Sequence, residues 1–470
     1  MPALILALEQ VNQYILSVSA ALLLLGAGLY FTIRFRAFYI RHPLRALRAM
    51  PLENGAGQML LSLGGTVGVG NISGVALGIL YGGAGAVFWM WVGALLSMAL
   101  KYAEIILAMA TRKSDKTGFR GGAPYYIKEA FGKAVAALFA ALLIFDSAAM
   151  GGVIQSSAIS EAAQSGFSLS PVVTGILISL AAALVFLFRV NVFSLSTYIV
   201  PAMSVGYCLA ALLILFANAA NIPAVLSLIV RDAFRPAAGA FGALGFLLSP
   251  ALRQGIVKGL FSNEAGCGTA TMSHVSSKET VPARQGLFGI FEVFCDTILM
   301  CTLTAFVILL TLGDDLAGIG GGGVLICARA FERFFGAAAG GILSVFVFLF
   351  AFATIVSFGY YGLQSLAYFT GSTAAQKAYL VFYCLSLFIG SVAAPAAVWT
   401  VSDFLLCVMM LLNTAAVLAC SKKVVAEHRR FYAHIGKYSQ SASKMRTRSL
   451  SGTKKEIPMS ENAVRNGLTE

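Results

Sequence analysis

Long apolar runs, each about the length of a bilayer crossing, alternate along this chain with short polar segments. The runs are continuous and do not alternate apolar with polar, which predicts α-helical spans and excludes a transmembrane β-barrel. Eleven can be placed, at roughly 12–33, 58–80, 83–110, 133–157, 170–188, 193–217, 239–273, 286–312, 337–361, 376–395 and 397–420. The predicted fold class is an all-α polytopic membrane protein. Its transmembrane domain covers 1–421, and a basic tail follows over 422–470.

Composition agrees with that picture. Hydrophobic residues make up 59% of the 470 and charged residues 11%, against about 25% charged in soluble proteins. This rules out a soluble enzyme, a nucleic-acid binder and a disordered chain. The net charge of +13 then reads as loops rich in Lys and Arg on the cytoplasmic side. Arg34, Arg36, Arg41, Arg45 and Arg48 place segment 34–49 inside, and so the N-terminus outside. Segment 111–120, Lys278 and Arg284 also fall inside, Asp314 and Asp315 outside. An odd span count puts the tail, with 11 Lys+Arg and 4 acids, in the cytoplasm. The tail lacks a sustained apolar period and is expected to be mostly disordered. Segment 36–49 suits the inner interface, and 314–335 reads as an outer loop with a short surface helix. The expected location is a cell (inner) membrane, with lipid around the spans and no nucleic acid bound. Cys208, Cys295, Cys301, Cys384, Cys407 and Cys420 sit in apolar runs, which is packing usage rather than a disulfide framework.

Two spans are interrupted. The second reads MLLSLGGTVGVGNISGVALGIL, with Gly64, Gly65, Gly68 and Gly70 ahead of Asn71 and Ser73. Glycines free the backbone to leave helical geometry; they also allow close helix packing. Asn71 beside them favours a break. The seventh reads FLLSPALRQGIVKGLFSNEAGCGTATMSH, too polar at 259–266 for a plain span. Glu264 there is either a functional group at membrane depth or a brace nearer the surface. Gly68 and Asn263 lie 195 residues apart, and five spans begin with each break: a first unit of about 58–217 and a second of about 239–420. An odd number of spans per unit inverts the second against the first. Paired breaks in two inverted halves point to the central site of a transporter. Half-helix N-termini attract a carboxylate, and freed carbonyls suit Na⁺. The chemistry is that of an ion-coupled carrier of a small anionic or zwitterionic solute.

Other polar positions carry less. Gln155 suits a substrate contact and a helix–helix hydrogen bond equally. Thr354 offers a hydroxyl oxygen to Na⁺, though such a Thr also bonds its own helix. Lys101 and Glu104 are expected at the inner end of the third span, snorkelling or paired. Asp296 is expected to be structural.

At the breaks the chain resembles the alanine or glycine:cation symporter family, the sodium:alanine symporters of bacteria and archaea. The resemblance runs from about 12 to 420. It is carried by GGTVGVGNISGVALGI (64–79), KYAEIILA (101–108), GGAPYYI (121–127), KGLFSNEAGCGTA (258–270), DTILMCTLTAFVI (296–308) and GYYG (359–362). It implies a LeuT-like fold, ten core helices in a 5+5 inverted repeat with one extra helix in front. It implies Na⁺-coupled symport of a small neutral amino acid, alanine or glycine, with no organic cofactor. Substrate would meet Gly70, Asn71 and Ile72 at the first break, Phe261, Ser262 and Asn263 at the second, and Gln155. Na⁺ would use the carbonyls of Gly64 and Val67 with the Thr354 hydroxyl. Several positions depart from the family pattern. Val69 stands where Thr is frequent, and Phe358, on the apolar wall of the pocket, where Trp is common. Leu363-Gln364 replaces Glu-Lys, and Thr269-Ala270-Thr271 replaces Ser-Ala-Pro. These leave open another cargo, such as glutamine, serine or a D-amino acid, and H⁺ as coupling ion.

Two other classes compare poorly. An intramembrane zinc protease needs an HExxH helix, and the four histidines do not supply one. A channel would share the broken helices but would not accumulate solute against a gradient.

Overall fold

The computed structural model describes residues 10–12, 17–115, 118–235, 249–319, 322–336, 338–393 and 395–433. The longer helices are α1 (Ser17–Arg34), α2 (Leu52–Thr66), α3 (Ser73–Gly82), α4 (Gly85–Thr111), α5 (Ala123–Phe131), α6 (Lys133–Phe167), α7 (Pro171–Leu187), α8 (Val192–Ala217), α9 (Ile222–Ala233), α10 (Pro250–Asn263), α11 (Pro282–Thr311), α12 (Gly323–Phe335), α13 (Ala339–Phe369), α14 (Thr373–Val392), α15 (Pro395–Ala419) and α16 (421–433). One two-stranded hairpin, Lys113–Asp115 with Gly118–Arg120, interrupts this all-α architecture.

Among the described residues, seven helices are long and apolar enough to cross a bilayer, or eight when the bent pair α2–α3 counts as one span. The protein is therefore an all-α polytopic membrane protein. α1 and α7 are shorter apolar helices. The seventh predicted run begins in 239–248, which lies outside the described residues; its remainder is α10 and a turn at Thr271–His274.

Hydrophobicity alone does not say which spans face lipid. α4 is 83% buried across its apolar window and α8 only 28%, yet α8 has the higher mean hydropathy, 2.3 against 1.6. Tyr198 and Phe216 of α8, and Leu187 and Phe188 at the end of α7, are largely exposed, as lipid-facing side chains should be. α4 packs against α10, α11 and α1 and forms the structural spine. Local chemistry sets several starts. The Asn191 carboxamide oxygen accepts from the amides of Phe193 and Ser194 ahead of α8, at 3.1 and 3.3 Å, and Ser249 caps α10 through Leu252 N–H at 3.3 Å.

The 314–335 segment does hold a helix, α12, but one face of it is buried: Val324, Ile326, Cys327, Ala330 and Phe331 pack inward. All eight cysteines are free thiols. The basic tail begins differently from expectation. Residues 421–433 are helical, and Val424, Val425, His428 and Phe431 are buried. His428 Nδ1 lies 3.0 Å from the Tyr102 hydroxyl of α4, and its ring packs on Phe35 and Phe38. The apolar positions recur at 424, 425, 428 and 431, a helical spacing masked by the surrounding charge. Residues 434–470 of the tail lie outside the described residues.

Burial, then the Arg429 charge, push the His428 pKa down to about 4. The unfolded imidazole binds its proton near pH 6.5. The docked α16 should therefore lose stability as pH falls from about 6.5 toward 4, where the free histidine takes up a proton that the docked one refuses. Limited proteolysis of α16 should accelerate over that window. Cutting the chain after residue 433 should leave folded yield unchanged, whereas cutting after 421 should lower it.

Candidate functional site

The first break is real. α2 stops at Thr66, Val67 and Gly68 leave helical geometry, and a 3₁₀ turn at Val69–Asn71 leads into α3 at a bend of 55°. Glycine is required at 68: a Cβ there would stand 2.4 Å from Thr354 Oγ1. The Asn71 side chain secures the turn, its Oδ1 accepting from Gly68 N–H at 3.1 Å.

The second break lies slightly later than the sequence suggested. Ser262 and Asn263 are the last residues of α10, and the irregular stretch runs from Glu264 to Ala270. Glu264 adopts a left-handed conformation at φ 53°, and Gly266 and Gly268 follow at φ 88° and 79°. Asn263 caps this end, with Oδ1 taking the Ala265 amide at 3.0 Å and Nδ2 donating to Thr297 Oγ1 at 3.1 Å.

The two breaks meet at a residue expected to be merely structural. Asp296 is fully buried in a π-helical stretch of α11, Phe294–Cys301. Its Oδ1 accepts from Asn71 Nδ2 at 2.8 Å. Its Oδ2 accepts from Ser262 Oγ and Thr297 Oγ1 at 2.7 and 2.8 Å. Asn71 Nδ2 also reaches Ser262 Oγ at 3.0 Å and the Asp296 carbonyl at 2.9 Å. An acid inside an apolar run was the available signal for it.

Gln155 joins the first break from α6. Its Oε1 accepts from Val69 N–H at 3.3 Å, and its Nε2 donates to Met150 O at 3.3 Å. On the other side, Thr354 Oγ1 of α13 donates to Gly64 O at 3.0 Å and to Phe350 O of its own helix at 3.2 Å. The bond to its own helix is present, and the same hydroxyl lies against the Gly64 carbonyl of α2. Ser357, one turn on, donates to Leu61 O at 2.8 Å. Val67 terminates α2 through Leu63 O at 2.7 Å, and Gly70 is buried in the 3₁₀ turn. The Ile72 carbonyl takes a bond from Cys327 Sγ at 3.4 Å, which ties the first break to α12.

Not every anticipated residue converges. Phe358 packs against Gly151 of α6 and 5.3 Å from the Tyr361 ring, as apolar packing. Asn263 turns to Thr297 and its own backbone. Phe261 belongs to α10, and its side chain is outside the described residues. Asn71, Gln155, Ser262 and Thr354 are all at most 1% exposed, so the arrangement is a closed one.

A second polar layer lies beside the first. Lys101 does not snorkel: it is fully buried, 3.2 Å from Glu292, and donates to Asn263 O at 2.9 Å. Glu292 also accepts from Ser62 Oγ at 2.8 Å and meets His274 Nε2 at 2.7 Å. Gln285 Nε2 lies 2.8 Å from His274 Nδ1. Four elements thus share one charge cluster: α2, α4, α11 and the turn after the second break. Outside the spans, Arg112 donates to the carbonyls of Val275, Ser277 and Glu279 at 3.1, 2.6 and 2.6 Å, fastening the segment that follows that turn.

Two interrupted helices joined through buried polar groups are the geometry of a carrier's centre, and comparison with known proteins assigns the lineage. A profile of the sodium:alanine symporter family matches residues 1–445. The chain belongs to that family. A sodium/alanine symporter, AgcS, of Methanococcus maripaludis is 33% identical over 439 residues, 90% of this chain and 96% of the relative. A probable sodium/glutamine symporter, GlnT, of Bacillus subtilis is 32% identical over 426 residues, 88% and 87%. An uncharacterized transporter of Haemophilus influenzae is 33% identical over 443 residues, 90% and 95%. Sodium:alanine symporters are transporters, not enzymes.

Removing one member of a buried ion pair strands the other, at a cost of about 3–5 kcal/mol. Lys101→Met should therefore lower thermal stability sharply. Lys101→Met with Glu292→Gln should recover a large part of the loss, measured as the melting temperature of purified protein.

Proposed function

We propose that this protein is a Na⁺-coupled symporter of a small neutral amino acid, alanine or glycine, working by alternating access. The observation that carries this is the meeting of the two helix breaks at Asn71, Ser262 and Asp296. The polypeptide would form a LeuT-like 5+5 inverted repeat behind one extra N-terminal helix, eleven spans in all, with repeats of about 58–217 and 239–420. The N-terminus would lie outside and the basic tail in the cytoplasm of the cell (inner) membrane.

Substrate would bind at Gly70, Asn71, Ile72, Gln155 and Ser262; Asn263, Phe261 and Phe358 would join only if they turn to the site when it is occupied. α3 begins at Ser73, so its positive dipole end faces the break and suits a substrate carboxylate. Na⁺ would lie between the Gly64 and Val67 carbonyls and Thr354 Oγ1. The hydroxyl now donates to the Gly64 carbonyl. With Na⁺ present both oxygens would turn to the ion, and α2 would be drawn against α13. Ion binding and the geometry of the first break would then be one event, which is the physical content of coupling.

Glutamine is the competing cargo, because GlnT and AgcS match this chain almost equally. Serine and D-amino acids belong to the same test. Purified protein in liposomes should accumulate alanine or glycine when Na⁺ is high outside, and far less with choline in its place at fixed pH. Equal uptake in both would sink the sodium claim, and a preference for glutamine across a substrate panel would replace the cargo.

Asn71→Ala and Gln155→Ala each remove a polar partner in a dry site, at a cost of ~1–3 kcal/mol, or roughly 5- to 150-fold in affinity. Asn263→Ala should act mainly on folded yield, since Asn263 caps the break. Calorimetric titration with the amino acid, alongside size-exclusion yield, separates the two effects.

A further inference from the structure

Among the described residues six carboxyls are buried: Glu104, Asp146, Glu264, Glu279, Glu292 and Asp296, of which Glu279 pairs with Arg284 at 3.3 Å. Glu292 and Asp296 have the partners given above, and Glu104 accepts from Asn413 Nδ2. Glu264 uses one oxygen, taking the Thr269 hydroxyl at 2.6 Å, and its Oε1 has no protein partner among the described residues. Asp146 of α6 is 0% exposed, and neither of its oxygens has one. A carboxylate in that position has given up water and gained nothing, so the charged form is heavily disfavoured. Two remedies exist, a cation or a proton. A hard cation collects about six oxygens, and among the described residues no three acidic, His or Cys side chains converge to hold one. A proton needs a single oxygen.

The surroundings add a second acid rather than a counter-charge. The charge of Asp146 acts on Glu264, and both act with Glu104 on the Cys267 thiol. Lys101 reaches Glu264 and Glu104 but is already held by Glu292. Asp296 also acts on Glu264, and the remaining titratable groups near this cluster are neutral ones: Tyr379 of α14 beside Ser147, Tyr361 of α13 near Glu264, Tyr126 of α5 near Glu104, and Cys407 of α15 near Cys267. None donates to Asp146.

We propose that Asp146 is a proton-binding carboxyl, protonated in the closed arrangement described above. The placement gives it leverage. Asp146 immediately precedes the π-helical stretch Ser147–Ile154, which ends against Gln155. Such stretches are strained and recur at functional sites. This one has little slack: a Cβ at Gly151 would stand 2.0 Å from Phe358 Cβ, and one at Gly152 2.5 Å from Ser386 Oγ. When the site opens and water reaches Asp146, the O–H bond breaks and its proton passes to water, leaving a hydrated carboxylate. Closure requires that proton back. The transport consequence rests on the symporter assignment; proton binding at Asp146 does not.

Infrared spectroscopy of the full-length purified protein tests it. At neutral pH the wild-type minus Asp146→Asn difference spectrum should contain the C=O stretch of a protonated carboxyl. A difference spectrum showing only carboxylate overturns the proposal. Should Asp146→Asn fail to fold, carboxyl-labelled aspartate in the Asp296→Asn protein gives the same readout, and no protonated aspartate band overturns it. In liposomes, Na⁺-driven uptake should change several-fold between about pH 5 and 9, and Asp146→Asn should flatten that profile. A variant that keeps the wild-type profile overturns the transport role. An intact infrared band with no uptake of any amino acid would fault the symporter assignment and leave the proton site standing.

Discussion

The carboxylate of Asp296 holds the centre of this protein together. One oxygen is bonded by Asn71 and the other by Ser262 and Thr297, so both interrupted helices end on the same charge. Unwound backbone inside a membrane protein survives only where protein groups satisfy it. Here the satisfaction is reciprocal. Each break supplies donors to Asp296, and Asn71 also fixes its own turn through the Gly68 amide. Moving one break alone would strip a donor from a buried carboxylate, which is costlier than moving both.

The neighbouring interactions extend that constraint outward. Thr354 and Ser357 bind carbonyls of α2 from α13, and Gln155 binds the Val69 amide from α6. The Lys101–Glu292–His274 cluster ties α2, α4 and α11 to the turn beyond the second break. α6, α10, α11, α12 and α13 therefore each reach the first break or the end of α2 through a directional bond, while α8 meets it by apolar contact of Val200 with Gly64. That suits a site that must rearrange between a few definite states, since hydrogen-bonded networks switch while packed surfaces deform only slightly.

Much of this was legible in the residues. The glycines and Asn71 announced the first break, FSNEAG the second, and Gln155 and Thr354 are in contact with the first. What could not be read was three-dimensional pairing. Asp296 and Asp146 look alike in the sequence, single acids in apolar runs, yet one is fully bonded and the other has no protein partner among the described residues. Lys101 was open to snorkelling or pairing, and it pairs, with Glu292; a linear pattern does not tell a lipid-facing helix from the buried spine. The same blindness let the charges of 422–433 hide the stripe of Val424, Val425, His428 and Phe431 that docks α16.

The most direct measurement is a double-mutant cycle between Asn71→Ala and Asp296→Asn, read as amino-acid affinity at fixed Na⁺. Two breaks acting as one unit predict a coupling energy of about 0.5–3 kcal/mol between these positions. Losses that add to within about 0.3–0.5 kcal/mol would mean that the two breaks are independent, and that Asp296 only braces α11.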